Sequence, residues 1–218
     1  MFGGPQPKKG GGATPLSPKD FVHLTGVSRE TMCRLSAYAK ILIERQRKQN
    51  LVSANSLTDL WGRHFFDSYQ LIEHLPSNAK GITDIGSGAG FPGLVLAIST
   101  GIPTVLVDSN KRKSEFLGEV IQKTRAPAVV VNLRVEQHAK HLKGNGVDVL
   151  TARAIAPLSK LCELAELLSS QTCLFLKGKN WRKELTQANK QWKITFEAIE
   201  SLTSKESRIL RITELERR

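Results

Sequence analysis

The chain has 218 residues, 40% hydrophobic and 24% charged, a composition that suits one globular domain long enough to bury a sizeable core. No apolar run approaches the roughly 20 residues that cross a bilayer, and no apolar segment follows Lys8 and Lys9 as in a secretory signal, so the expectation is a soluble, cytoplasmic protein. The formal charge of +12 and a pI near 9.8 favour a polyanionic partner such as nucleic acid, with plain solubility as the competing reason for the excess of Lys and Arg. Cys33, Cys162 and Cys173 lack the paired spacing of a zinc site or a disulfide framework and read as reduced core thiols, so no metal is assigned.

Residues 1–18 are dominated by Gly, Pro and Lys, with too few large apolar side chains to offset ordering entropy, and read as a flexible basic tail. From Arg29 the apolar positions Met32, Leu35, Ala39, Leu42 and Ile43 recur at helical spacing behind Ser28, a plausible N-cap. A second helical stretch runs from about Leu57 to Leu75 and stops at Pro76. After Lys80 the pattern changes to short β-rich runs alternating with helix-compatible segments, the signature of βαβ units and a parallel sheet. The expected strands are Ile82–Ile85, Thr104–Val107, Ala128–Val131, Val147–Leu150 and Thr172–Leu176. The expected helices are Gly93–Ser99, Lys111–Lys123, Leu158–Leu168 and Trp181–Trp192. Ile194–Ile199 and Arg208–Leu215, joined by the polar Ser201–Ser207, read as an antiparallel hairpin. The domain plan is a tail over 1–18 and a single α/β domain over 19–218, helical in 19–79 and Rossmann-like in 80–218.

Where the first strand should give way to the first helix stands Asp84-Ile85-Gly86-Ser87-Gly88-Ala89-Gly90-Phe91-Pro92-Gly93. Glycines there permit positive φ and close approach of a ligand to the backbone, so a nucleotide-like cofactor is expected. Gly88, Gly90 and Gly93 satisfy the dinucleotide GxGxxG spacing, a weak signal alone that Pro92 interrupts. Asp84 followed by Gly86, Gly88 and Gly90 resembles instead the acidic-first loop of S-adenosylmethionine methyltransferases. There Asp84 is expected to bond to loop amides and to favour a cationic sulfonium by proximity. Five parallel strands followed by a hairpin also resemble the seven-stranded sheet of that class. Asp108, closing the second strand, can accept both ribose hydroxyls of a nucleoside under either reading. Val135 and Glu136 follow the third strand, where this class meets the adenine ring, although Glu136 could equally cap the next helix.

Six segments together resemble one family. They are Asn50-Leu51-Val52-Ser53; Arg63-His64-Phe65-Phe66-Asp67-Ser68; the loop from Asp84 to Gly93; Val107-Asp108-Ser109 with Lys111-Arg112-Lys113; Arg134-Val135-Glu136; and Asp148 with Thr151-Ala152-Arg153-Ala154. In this order they are similar to the bacterial 16S rRNA guanine-N7 methyltransferases of the RsmG (GidB) family. The resemblance implies a class I S-adenosylmethionine methyltransferase fold with a helical N-terminal extension. It implies S-adenosyl-L-methionine as cofactor and a guanine of the 530 loop as target, in 16S rRNA or the 30S subunit, with a monomeric enzyme expected. It places cofactor contacts on Gly86, Phe91, Val135, Glu136 and Arg153, beside Gly88 and Asp108 from the loop reading. Departures are Phe91 where Leu is common, Arg45 where Trp is frequent, and the extra Gly/Lys tail.

The residues after the fourth strand read Arg153-Ala154-Ile155-Ala156-Pro157, without the Asp/Asn-Pro-Pro-aromatic tetrad of exocyclic-amine methylation, and no cysteine is placed as a C5 nucleophile. Guanine N7 carries an in-plane lone pair and no proton, so orientation suffices and no catalytic acid or base is assigned. His64, beside Phe65 and Phe66, reads as a packed residue rather than a base. Arg63, Lys111, Arg112, Lys113, Lys177 and Lys179 are candidates for RNA phosphates. The competing readings are an NAD(P)-dependent oxidoreductase, a non-catalytic RNA-binding module of the same fold, and a small-molecule methyltransferase.

Overall fold

A computed structural model describes residues 14–142 and 144–218; the greater part of the proposed tail, residues 1–13, lies outside the described residues. The helices are α1 (Pro18–Thr25), α2 (Arg29–Gln46), α3 (Ala54–Leu57) and α4 (Asp67–Tyr69), with a π-helical turn at Trp61–Phe66 and a 3₁₀ turn at Gln70–His74 around the last of these. Then β1 (Ile82–Ile85), α5 (Gly93–Thr100), β2 (Thr104–Val107), α6 (Lys111–Thr124), β3 (Ala128–Val131), α7 (Val135–His141) and β4 (Val149–Arg153) follow. The chain closes with α8 (Leu158–Leu167), β5 (Thr172–Lys177), α9 (Trp181–Ala188), β6 (Trp192–Glu200) and β7 (Arg208–Arg217). The seven strands form one sheet in the order β3-β2-β1-β4-β5-β7-β6. The first five run parallel, while β7 is antiparallel to both β5 and β6.

Successive strand residues point to opposite faces of the sheet, as pleating requires. Leu106 enters a cluster with Phe21, Leu35, Tyr38, Phe65, Leu94 and Phe116, from α1, α2, the π-helical turn, α5 and α6. Val107 enters another with Val135, Leu158, Leu161, Trp181 and Trp192, which carries α7, α8 and α9. The N-terminal helices are thus a layer of the same core. Arg45 ties α2 to α6, its Nε and Nη2 meeting Glu119 Oε2 at 2.7 and 2.6 Å.

The first three strands fall where the sequence places them, and four differences stand out. Helix α1 precedes the expected first helix: Ser17 and Asp20 form a reciprocal capping box, and the Leu16 N–H donates to Asp59 Oδ1 at 2.8 Å, so ordering begins inside the stretch read as tail. On α2 it is Ile41 that is buried, whereas Ile43 is 48% exposed. Strand β4 starts at Val149 rather than Val147, because the Asp148 carboxylate turns back to accept the Lys80 and Gly81 amides. Helix α9 stops at Ala188, and Trp192 opens β6 with its ring in the core rather than ending a helix.

Candidate functional site

Strand order reverses between β1 and β4, whose C-terminal ends therefore feed connections running in opposite directions and leave a crevice between them. The glycine loop leaves β1 on one side of it. Gly86, Gly88 and Gly90 have φ of +63°, +57° and +93°, a left-handed run that side-chain-bearing residues rarely adopt. A Cβ at Gly86 would stand 2.2 Å from Ile155 Cδ1, so the loop after β4 lies directly on it. The loop is fastened from behind: the Tyr38 hydroxyl on α2 donates to the Ala89 carbonyl.

Asp108, one residue past β2, faces the same loop. Its Oδ2 accepts the Gly88 N–H and its Oδ1 the Asn110 N–H, each at 2.8 Å. Each oxygen keeps lone-pair capacity for a further donor. Asp84 is fully buried, and its Oδ1 accepts from Thr151, its register neighbour on β4, at 2.8 Å, while its carboxylate also faces Ser87 and the Gly93 backbone of the loop. Burial pushes its pKa from 3.8 up to about 6, against the lowering effect of these hydrogen bonds.

Val135 packs with Ile85 and Val107 beneath the crevice, and Glu136 is exposed in the first turn of α7, 3.7 Å from Lys160. The Phe91 side chain is buried, stacked on Tyr38 at 5.2 Å and edge-on to Phe65 at 5.4 Å.

Arg153, the last residue of β4, joins this region to the N-terminal helices. Its guanidinium lies 5.1 Å from the Phe91 ring centroid, donates to the Arg63 carbonyl at 2.9 Å and to Asp67 Oδ2 at 3.3 Å, and reaches His64 Nδ1 at 2.5 Å. Because the guanidinium can only donate, His64 Nδ1 must accept and the imidazole must be neutral. Burial, then the Arg153 and Arg63 charges, lower the His64 pKa from 6.5 to about 3. Asp67 also accepts from Thr203 at 2.6 Å and from Gln70 at 3.0 Å.

Beyond Arg153 opens a cavity of about 720 Å³, walled by the π-helical turn, the Arg153–Pro157 loop, the end of β5 and the β6–β7 connection. Ile155 lines it and separates it from Gly86. Of the basic residues expected at phosphates, Arg63 lines this cavity, while Lys179, Lys111 and Arg112 are exposed and Lys113 is half-buried at the start of α6. Lys177 is a correction: it is 7% exposed and committed to Glu184 at 2.6 Å and to the Ala156 carbonyl at 2.9 Å, so no charge remains free for a phosphate. Glu184 also accepts the Leu158 N–H. Sequence reasoning missed Tyr38, Ile155 and Thr203, whose roles come from partners 51, 69 and 136 residues away; no local spacing signals them.

A family profile described as rRNA small subunit methyltransferase G matches residues 31–212. This chain belongs to that family. The proteins named Ribosomal RNA small subunit methyltransferase G from Paramagnetospirillum magneticum and Rhodospirillum rubrum are 44% and 45% identical to it over 205 residues. Each alignment covers 93% of this chain, and 98% and 100% of the respective relatives. Among solved structures, an O-methyltransferase from Bacillus cereus in complex with SAH superposes with a TM-score of 0.58 at 12% identity, covering 82% of this chain and 91% of that one. Fibrillarin in its complex with Nop5p superposes with a TM-score of 0.54 at 13% identity, covering 70% and 82%. At such identities the likeness concerns the fold. Membership of the methyltransferase G family makes the chain an S-adenosylmethionine-dependent methyltransferase of class I fold and sets aside the oxidoreductase reading.

Proposed function

We propose that this enzyme transfers the methyl group of S-adenosylmethionine to N7 of a guanine in the 530 loop of 16S rRNA, acting in the cytoplasm as a monomer on the rRNA or the 30S subunit. The supporting observation is the pairing of a left-handed glycine loop with a cavity whose potential bases are all engaged. His64 Nδ1 takes the Arg153 N–H, Asp67 has three donors, and Glu184 is held by Lys177. A group that had to lose a proton before attacking would find no free acceptor among these. Guanine N7 needs none, and the contribution left to the protein is alignment.

The residues fit the cofactor. Gly86 and Gly88 let the backbone approach it, Asp108 has acceptor capacity for ribose hydroxyls, and Val135 and Glu136 open α7 after β3, for the adenine side. Bound there, the cofactor supplies a methyl group on a cationic sulfur. Arg153, immobilised by His64, Asp67 and Phe91, is the residue shared by the loop side and the acceptor cavity, and Phe91 acts through it by fixing the guanidinium plane. The helical part 19–79 and the core 80–218 are proposed as one domain, which α1 and its cap extend back to Leu16.

Methyl-labelled S-adenosylmethionine and unmodified 30S subunits, followed by nuclease digestion and mass spectrometry, test the reading. Label on a single 16S guanine as 7-methylguanosine is expected; label on another atom or another RNA overturns the target, and no label overturns the reaction.

A further inference from the structure

Part of the cavity wall is assembled from distant parts of the chain: Ser53 ahead of α3, Arg63 in the π-helical turn, and Ser204 and Ser207 in the β6–β7 connection. That connection is pinned in place. Thr203 donates to Asp67 at 2.6 Å, the Leu202 N–H to Gln70 Oε1 at 2.8 Å, and Gln70 Nε2 to Ser201 at 3.2 Å. The pinning uses Ser201 and Thr203 and leaves the hydroxyls of Ser53, Ser204 and Ser207 without a hydrogen-bond partner among the described residues. The Arg63 guanidinium has one long contact, Nη1 to the Asn55 carbonyl at 3.4 Å, and is otherwise open to solvent. Both carboxylates of the cavity are already offset, Asp67 by Arg153 and Glu184 by Lys177. What this wall presents is therefore one free cation and three uncommitted hydroxyls, with no unopposed negative charge.

That donor set suits phosphodiester oxygens, which accept from hydroxyls and most strongly from a guanidinium. We infer that Ser53, Arg63, Ser204 and Ser207 form a subsite for the RNA phosphodiester backbone beside the target nucleotide, setting the register in which the base enters the cavity. The inference rests on the RNA methyltransferase reading above. Because the β6–β7 connection is already tied to α4 and the 3₁₀ turn, the subsite needs little ordering when the RNA arrives.

The test is steady-state kinetics of the full chain on unmodified 30S subunits over a salt series, with Arg63→Gln, the double variant Ser204→Ala/Ser207→Ala, and Lys190→Gln, which is exposed in the turn before β6, as control. Arg63→Gln should raise KM for the subunit about tenfold and flatten the slope of log kcat/KM against log salt by about 1. The double serine variant should raise KM roughly threefold to tenfold, the control should match wild type, and calorimetric S-adenosylmethionine binding should be the same in all. Wild-type KM and slope in both Arg63→Gln and the serine variant, with wild-type transfer intact, overturn the subsite alone. Wild-type protein that binds cofactor and methylates no 30S RNA overturns the subsite and the substrate reading together.

Discussion

Replacing Asp84 by asparagine should make the protein more stable at neutral pH and weaken its hold on the cofactor. The carboxyl is fully buried between β1 and β4, and the hydrogen bonds it receives from Thr151 and from the loop do not offset its desolvation. Its pKa therefore stands at about 6 instead of 3.8, desolvation being the largest cause. In the window between those values the native chain holds a proton that the unfolded chain has lost. The stabilisation due to this group is complete below about pH 4 and is lost as pH rises through about 6. The shift of about two units corresponds to roughly 3 kcal/mol withheld from the native state at pH 8. The amide side chain keeps an acceptor for the Thr151 hydroxyl and carries no charge to desolvate, so D84N should gain about 1–3 kcal/mol there, a rise in Tm of roughly 2–12 °C for a domain of this size. The gain should shrink towards zero near pH 4. Calorimetric melts of both proteins from pH 4.5 to 8 measure it, and a D84N protein less stable at pH 8, or a gain that ignores pH, would refute the reasoning. The same variant should bind S-adenosylmethionine more weakly, since a negative charge behind the loop favours a cationic ligand.

Gly86→Asp places a side chain at φ +63° where Ile155 Cδ1 is 2.2 Å from the new Cβ; calorimetry should detect no S-adenosylmethionine binding while far-UV dichroism stays native, and wild-type affinity would remove the loop from the site. Asp67→Asn leaves one carbonyl oxygen for donors from Arg153, Thr203 and Gln70, which at hydrogen bonds of about 1.5–3 kcal/mol to a charged group should cost about 2–4 kcal/mol, seen as a lower urea midpoint. Glu119→Gln removes the half-buried partner of the exposed Arg45 and should change stability by under about 1 kcal/mol, a contrast that fails if the two losses are equal. With the His64 pKa near 3, kcat should carry no inflection from this imidazole between pH 5 and 9; an inflection near 6.5 that disappears in His64→Gln would make His64 a proton acceptor after all.

Much of the fold was legible because βαβ alternation is local. Each of β1, β2 and β3 is a run of four residues bounded by a breaker or a cap, and the expected ends of those strands are the observed ones. Legibility failed where a long-range partner decides. Helix α1 is capped by its own Ser17 and Asp20, but Leu16 is drawn in by Asp59. Asp148 leaves the strand pattern to hold the amides of residues 80 and 81, and Trp192 is claimed by the core. At the site, glycine spacing pointed to the loop, while the neutrality of His64 depends on an arginine 89 residues away. Lys177 reads as a free cation in sequence because Glu184 lies one helix further on.

The division between legible and illegible residues follows the division of labour proposed for the enzyme. The glycine loop and the acid after β2, the proposed cofactor side, are compact in sequence because consecutive strand-turn-helix units build them. The proposed acceptor side has no such unit. Arg153 from β4 must meet His64 and Asp67 from the N-terminal helices, and Asp67 must meet Thr203 from the hairpin. Strand β4, the N-terminal helices and the hairpin are thereby locked to one another at the mouth of the crevice. Loosening any one of them should impair acceptor recognition more than cofactor binding, except at Arg153, where the two sides share a residue and both should fall together.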